Sequence, residues 1–295
     1  MKNNAKNIAK EFGKITPSHF VYTRAILPCA ILIVISLFSS CALPIQARTV
    51  ANRFDSPEAS GKRWKGHVEG GVEGGPDFYM TPDATAVPVN LANPYFERSD
   101  WDGFISGGLG ITDRMDIDIK TRFNSDSIIQ AKYQFLGDTR INAKEGSFSL
   151  AGTIGFGGST TANASLGDDS LAVYSLTSFE YELAVIGGYR FNDHGLIYTS
   201  PYVIRRNFSG TISQSNGSST DFADNLDVWG ECVGVQVEVK KFTMKFEYSG
   251  AFSSASGATN FGSYGGIALG FFWGGPSQSS VRPQATESAS TSSAL

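Results

Sequence analysis

From Met115 to Phe123 the chain alternates without a fault. Met115, Ile117, Ile119, Thr121 and Phe123 fall on one side, and Asp116, Asp118, Lys120 and Arg122 on the other. A period of two puts successive side chains on opposite faces of an extended backbone, so this stretch reads as a β-strand. The same alternation recurs in IIQAKYQFL, SFSLAGTIGF, FEYELAVIGGYRF, VGVQVEVK and FTMKFEYSGAF, and no comparable helical stripe follows residue 47. Weaker candidates near residues 65, 105 and 205 and the final SYGGIALGFFW bring the total to about ten strands, within a range of roughly 8–12.

The links between these strands differ in length by turns. Thr112-Asp113-Arg114, Asn192-Asp193-His194-Gly195 and Lys240-Lys241 are tight, whereas 76–100, 158–178 and 214–227 are long and rich in Ser, Thr, Asn, Asp and Gly. Short turns at one rim and long links at the other are the pattern of an up-and-down antiparallel transmembrane β-barrel, in which the periplasmic turns are the short ones. The expected fold is therefore all-β, with both ends of residues 65–273 on the tight-turn side. Glycines within strands, such as Gly107, Gly108, Gly187, Gly188, Gly265 and Gly266, fit a small, sharply bent wall.

The front of the chain is a different object. Residues 1–47 carry Lys2, Lys6, Lys10, Lys14 and Arg24 against one acid, net +4, so the remainder holds 19 bases and 27 acids, net −8. The bases precede an apolar run, AILPCAILIVISLFSS, the order of a secretory signal. Cleavage after Ala47 is the favoured reading. The alternatives are lipidation of Cys41, where Phe38-Ser39-Ser40-Cys41 has the form of a lipoprotein box, and an uncleaved anchor. Removal of residues 1–47 leaves Cys232 without an intrachain partner, so no disulfide is expected. Residues 48–64 read as a disordered linker. So does the tail, 274–295, whose Ser/Thr/Ala-rich composition cannot bury a core.

Alternation alone does not say which face is outside, because a soluble barrel that binds a hydrophobic ligand has the same period with its apolar face inward. Trp101, Phe123, Phe148, Phe179, Phe191, Phe242, Phe252 and Trp273 near strand ends favour lipid outside, since aromatic girdles mark membrane interfaces. The lumen is then lined by Asp116, Asp118, Lys120, Arg122, Lys132, Glu180, Glu182, Arg190, Arg205, Glu238, Lys245 and Glu247, together with Glu69 and Glu73. Arg205 is expected to point inward and Arg206 toward lipopolysaccharide phosphates. At about this strand number, side chains just fill the interior, so ion-paired networks are expected there in preference to an open water path.

The last strand, Tyr264 to Trp273, resembles the assembly signal of bacterial outer-membrane barrels through Gly266, Leu269, Phe271 and Trp273. Those barrels usually stop at that aromatic residue, whereas this chain continues for a further segment. The hairpin GLGITDRMDIDIK and the strand QAKYQFLG also resemble repeats of small porin-like outer-membrane proteins. The resemblance covers residues 65–273 and singles out no subfamily. It implies an outer-membrane location, lipid and lipopolysaccharide as neighbours, and insertion by the outer-membrane assembly machinery, with small solutes as possible cargo.

No catalytic set, metal cluster or cofactor motif emerges. A barrel hydrolase needs a base within reach of a nucleophile or water. Asp193-His194 resembles the Asp and His of omptin proteases but falls at the tight-turn rim, where Asn, Asp and Gly are ordinary turn residues. Asp168, Asp169, Asp221, Asp224 and Asp227 match no calcium-loop spacing and read as hydrated charge. A body of net charge −8 without a basic stripe disfavours nucleic acid. The expectation is a non-enzymatic outer-membrane barrel, either a small porin-like channel or a surface-exposed binding or structural protein. The alternatives are a soluble or lipid-anchored ligand-binding barrel and an outer-membrane hydrolase. On this expectation the protein fractionates with membranes, and its band in detergent electrophoresis shifts on boiling; a freely soluble protein with no shift would put the apolar faces inside.

Overall fold

The computed structural model describes residues 45–83, 90–98, 101–123, 126–166, 172–214 and 217–273. Residues 1–44, which hold Cys41, together with Asp168, Asp169 and residues 274–295, lie outside the described residues. The strands in chain order are β1 (Ile45–Arg48), β2 (Gly66–Glu73), β3 (Pro76–Asp83), β4 (Asn90–Arg98), β5 (Asp102–Gly110), β6 (Met115–Arg122) and β7 (Ser127–Leu136). They continue with β8 (Phe148–Leu166), β9 (Ala172–Asn192), β10 (Gly195–Gln214), β11 (Ser219–Val239), β12 (Phe242–Ala255) and β13 (Ala258–Trp273). Ten of these, β2 and β5 to β13, close into an antiparallel barrel; within it each strand pairs with the next, and β13 returns to β2 through Trp273 opposite Gly66. The ten-strand up-and-down barrel is thus the observed fold.

The alternation in sequence becomes a two-sided wall. Along β9 the side chains of Phe179, Tyr181, Leu183, Val185, Tyr189 and Phe191 are exposed on the outer face, while Glu180, Glu182, Ala184, Ile186 and Arg190 are buried inside. Ile117, Ile119, Ile154, Phe156, Val233, Phe246, Tyr248 and Leu269 extend the outward belt around the barrel. From Phe179 to Phe191 the belt covers twelve steps of strand, about 40 Å at 3.4 Å per residue and roughly 29 Å of height at a 45° tilt, the thickness of a bilayer core. A soluble protein rarely exposes an apolar patch of more than a few hundred Å². The outward belt excludes the apolar-inside arrangement of a soluble ligand carrier.

Two of the long links are not loops. β8 and β9 stay paired out to Leu166 opposite Ala172, and β10 and β11 out to Ser213 opposite Ser219, so much of 158–178 and 214–227 extends the wall as strand. The outer faces of these extensions carry Ser175, Thr177, Asn207, Ser209, Thr211, Asp221 and Asn225, and that composition resembles a loop. Their inner faces, however, carry Tyr174, Leu176, Phe208, Ile212, Phe222 and Leu226, which pack into one apolar cluster. The third long link, 76–100, holds β3 and β4, which join β1 in a small sheet ordered β1-β3-β4. Phe78 of β3 is fully buried against Phe96 and Phe208, with ring centroids 5.2 and 6.0 Å away.

Residues 48–64 are not a free linker. β1 pairs with β3 at the long-link rim, whereas β2 starts at the tight-turn rim, so the segment between them runs the length of the lumen. Ala47, Val50, Ala51, Asn52, Arg53, Phe54, Glu58 and Ala59 are buried in it. Polar composition and two-signed charge read as disorder in sequence; here Arg53 and Glu58 are matched by the wall and Arg48 by Asp77 of β3. β1 also crosses the Ala47–Arg48 junction, so a cut there would remove Ile45, Gln46 and Ala47 from the ladder with β3.

The expected orientation of the two arginines is reversed. Arg206 points inward, buried against Asp126 at 2.5 Å, and Arg205 points outward, pairing with Asp227 at 3.6 Å with most of both side chains in solvent. The reason is that the inner face of β10 is apolar, with Tyr198, Tyr202, Ile204 and Phe208 all buried, so a rule of polar-inside assigns the wrong parity at this height. Breaking a buried pair by removing one partner costs about 3–5 kcal/mol, and an exposed pair is worth about 0–1. Arg206→Ala is therefore expected to lower the denaturant midpoint of the folded barrel markedly, and Arg205→Ala to leave it nearly unchanged; equal effects would contradict the assigned faces.

Candidate functional site

The segment 49–63 is a strap whose backbone polar groups have left water and must find partners in the wall. At its outer end Thr49 and Ala51 donate backbone N–H bonds to the carbonyls of Pro76 (3.2 Å) and Gly74 (3.0 Å). The carbonyl of Ala51 accepts from Ser249 Oγ (2.8 Å) and Cys232 Sγ (3.0 Å). At mid-lumen the Glu247 carboxylate accepts backbone N–H bonds from Arg53 (2.7 Å) and Phe54 (2.6 Å) and the Tyr198 hydroxyl (2.8 Å). Toward the tight-turn rim Gln134 accepts from Ala59 N–H (2.8 Å), Asp116 from Ser60 N–H (3.0 Å), and Lys132 donates to the Glu58 carbonyl (3.2 Å).

Side chains of the strap complete ion pairs with the wall. Arg53 reaches Glu182 at 2.7 Å; Arg122 holds Glu73 (3.0 Å), Glu180 (3.2 Å) and Glu182 (3.2 Å). Glu58 accepts two bonds from Arg190, both 2.6 Å, the paired geometry that a planar guanidinium favours. Lys120 pairs with Glu73 at 2.5 Å, Lys132 with Asp116 at 3.1 Å and Lys245 with Glu69 at 2.7 Å. At the rim Glu238 is shared by Arg190 and Arg140, both 3.0 Å away. Burial in the 137–147 turn pushes the Arg140 guanidinium below its ordinary value, against the opposing pull of Glu238 and Glu58.

Close approach of the strap explains two inward glycines. A Cβ on Gly266 would lie 2.5 Å from the Phe54 ring, and one on Gly188 would lie 2.6 Å from Pro57. Phe54 itself sits at φ 56°, sparsely allowed for a bulky residue, and is held there by the Glu247 bond and by stacking on Phe104 at 5.2 Å. Lys120 Nζ lies 4.2 Å from the Phe104 ring centroid.

The cavity beside the strap, lined by residues such as His67, Asp116, Asp118, Lys132 and Phe272, measures about 40 Å³. At roughly 10–15 Å³ per water that accommodates a few waters and no larger solute. His67 Nε2 lies 3.5 Å from Asp118 Oδ1 with its ring against Phe272, while His194 is exposed in the 193–194 turn and donates its backbone N–H to Asn192.

Of the lumen residues expected from sequence, Asp116, Asp118, Lys120, Arg122, Lys132, Glu180, Glu182, Arg190, Glu238, Lys245 and Glu247 face inward with Glu69 and Glu73; Arg205 does not. Asp126, Arg206, Gln134 and the strap residues Arg53 and Glu58 were missed. The mixture of Arg and Glu in a segment otherwise resembling a linker was the available signal for the last two. In β13, Leu269, Phe271 and Trp273 lie on the outer face and Gly266 on the inner.

The described residues show a closed, even-stranded antiparallel barrel with an apolar outer belt, the architecture of outer-membrane proteins. Among solved structures, the chain is similar to Ail, the attachment invasion locus protein of Yersinia pestis, at 8% identity and a TM-score of 0.30, covering 72% of this chain and 99% of that one. It is also similar to OmpT, an outer membrane protein of Vibrio cholerae, at 10% identity and a TM-score of 0.17, covering 71% and 98%. No protein-family model and no curated protein matches the chain.

Replacing Glu247 by Leu would strand the backbone N–H groups of Arg53 and Phe54, at about 1–3 kcal/mol each. Glu247→Leu is expected to release the strap while the wall stays closed, read as new proteolytic cleavage within residues 49–60 with retention of the boil-sensitive band. Protection equal to the native chain would show that the clamp does not hold the strap.

Proposed function

We propose that this chain is a non-enzymatic transmembrane barrel of a bacterial outer membrane, sealed by its own strap, that acts as a scaffold for a binding surface outside the cell. The observation that supports this most is the occupied lumen: residues 49–60 run along the axis with their backbone bonded to the wall, and the cavity described beside them measures about 40 Å³. That volume weighs against the channel reading in favour of the binding or structural one.

The wall supplies the surface. Above Phe179 on β9 the outer face changes from apolar to Ser and Thr, and β10 changes likewise above Val203, so the paired extensions of β8–β11 rise out of the belt with polar outer faces. Thr211 donates to Asp221 across the β10–β11 ladder at 2.7 Å, a contact suited to water and not to lipid. The apolar cluster of Phe208, Ile212, Phe222 and Leu226 stiffens these extensions from within. On this reading the long-link rim faces outward beside lipopolysaccharide, and the tight turns face the periplasm. The outward side chains of Leu269, Phe271 and Trp273 are then available to the assembly machinery during insertion.

Bilayer conductance tests the seal. The native chain is expected to give no sustained current steps, and a variant with residues 49–60 replaced by a short Gly/Ser linker is expected to give them. Steps of equal size from the native chain would restore the channel reading.

A further inference from the structure

The lipid-facing wall is not smooth. Over β11, β12, β13, β2 and β5 lies a trough of about 680 Å³, within the roughly 300–1,000 Å³ of sites that take a defined ligand. Its banks are apolar: Phe242 and Phe271, edge to face with centroids 5.5 Å apart, then Met244 and Leu269, with Ile105 opposite. Its floor is bare because Gly70 faces outward between Val68 and Val72; Gly107 of β5, opposite Val68, also faces outward, just outside the trough.

Neither glycine is demanded by the fold. Neither has the left-handed backbone that favours glycine, and an added Cβ would meet only the Phe104 carbonyl at 3.5 Å for Gly70 and the His67 carbonyl at 3.6 Å for Gly107, ordinary contact distances. This contrasts with Gly188 and Gly266, which the strap requires. The outward pair serves no packing need, and at Gly70 the missing side chain opens the trough.

The trough ends at the tight-turn rim, where the charge is of one sign. Lys240 and Lys241 form the β11–β12 turn, Lys241 Nζ lies 6.0 Å from the Phe271 ring, and Lys62, Arg63 and Lys65 adjoin the start of β2 beside Trp273. Of the acids near this sector, Glu69, which also lines the trough, is buried against Lys245, and Glu238 is held by Arg140 and Arg190. Elsewhere on this rim acids are present: Asp113 beside Arg114, Asp193 in the 192–195 turn, and Glu145 beside Lys144 in the 137–147 link. Exposed Trp64 and Trp273 at the same rim mark the level where an aromatic ring meets headgroups.

We propose that this trough holds one anionic phospholipid of the periplasmic leaflet, an acyl chain lying over Gly70 between Phe271 and Ile105 and its phosphate at Lys240 and Lys241. The assignment rests on the transmembrane reading and its orientation. Apolar banks accept the chain, and the one-signed rim accepts a phosphate through charge-assisted hydrogen bonds.

The test is native mass spectrometry of the full chain in mild detergent, titrated with palmitoyl-oleoyl phosphatidylglycerol or the corresponding phosphatidylcholine. One phosphatidylglycerol is expected to stay bound in preference to phosphatidylcholine. Gly70→Leu, which fills the floor, is expected to lower occupancy by roughly tenfold or more, as a loss of about 1.4 kcal/mol implies. Lys240→Ala with Lys241→Ala is expected to remove the preference for phosphatidylglycerol while leaving the wall unaltered. Equal retention of both lipids by the native chain, or unchanged occupancy in Gly70→Leu, overturns the proposal. The boil-dependent band shift is read on every sample. A retained shift with no bound lipid overturns the lipid site alone, and an absent shift in the native chain overturns the transmembrane reading together with it.

Discussion

A backbone threaded through a barrel has to replace every hydrogen bond it gave up to water, and that constraint organises the interior of this protein. Burying an amide without a partner costs a few kcal/mol. The wall answers with side chains aimed at the strap's main chain: Glu247 for Arg53 and Phe54, Gln134 for Ala59, Asp116 for Ser60, Ser249 for Ala51. These residues alternate inward on β12, β7 and β6, so the pleat that places lipid-facing groups outside also sets the spacing of the partners inside.

Charge inside the barrel follows from the same enclosure. Arg122 and Arg190 are each buried among carboxylates, and Arg53, Lys132, Arg206 and Lys245 each have one within salt-bridge distance, because an unpaired buried cation would be costly to keep. The interior is not uniformly polar, however. Toward the long-link rim it gives way to Tyr202, Ile204, Phe208, Ile212 and Leu226, covered by β1 and β3. The strap joins the zones, meeting apolar wall at Ala51 and charged wall at Glu58.

The belt outside and the trough within it follow from what lipid permits. Large apolar side chains cover most of the outer face, and where Gly70 stands instead the wall keeps a hollow. The basic sector at its lower end sits where the side chains of Lys240 and Lys241 reach water, as long cationic side chains do at a membrane interface.

The sequence by itself determined the ten barrel strands, their antiparallel order and most of the lumen set, but not β1, β3 and β4, which lay in stretches read as signal and link. A period of two survives in any environment, and strands such as Met115–Arg122 declare both faces locally. It did not determine which residues 48–64 would meet, because a polar, two-signed segment is equally compatible with water and with a matching wall. Nor did it settle Arg205 against Arg206, since adjacent residues of one type carry no parity and the inner face of β10 changes character along its length. The extensions of β8 to β11 escaped for a related reason: a Ser- and Thr-rich outer face looks like a loop until the apolar face behind it is seen packed. The tertiary structure decided these points, because each depends on what lies across the lumen, tens to nearly two hundred residues away in the chain, as Arg53 does from Glu247 with a separation of 194.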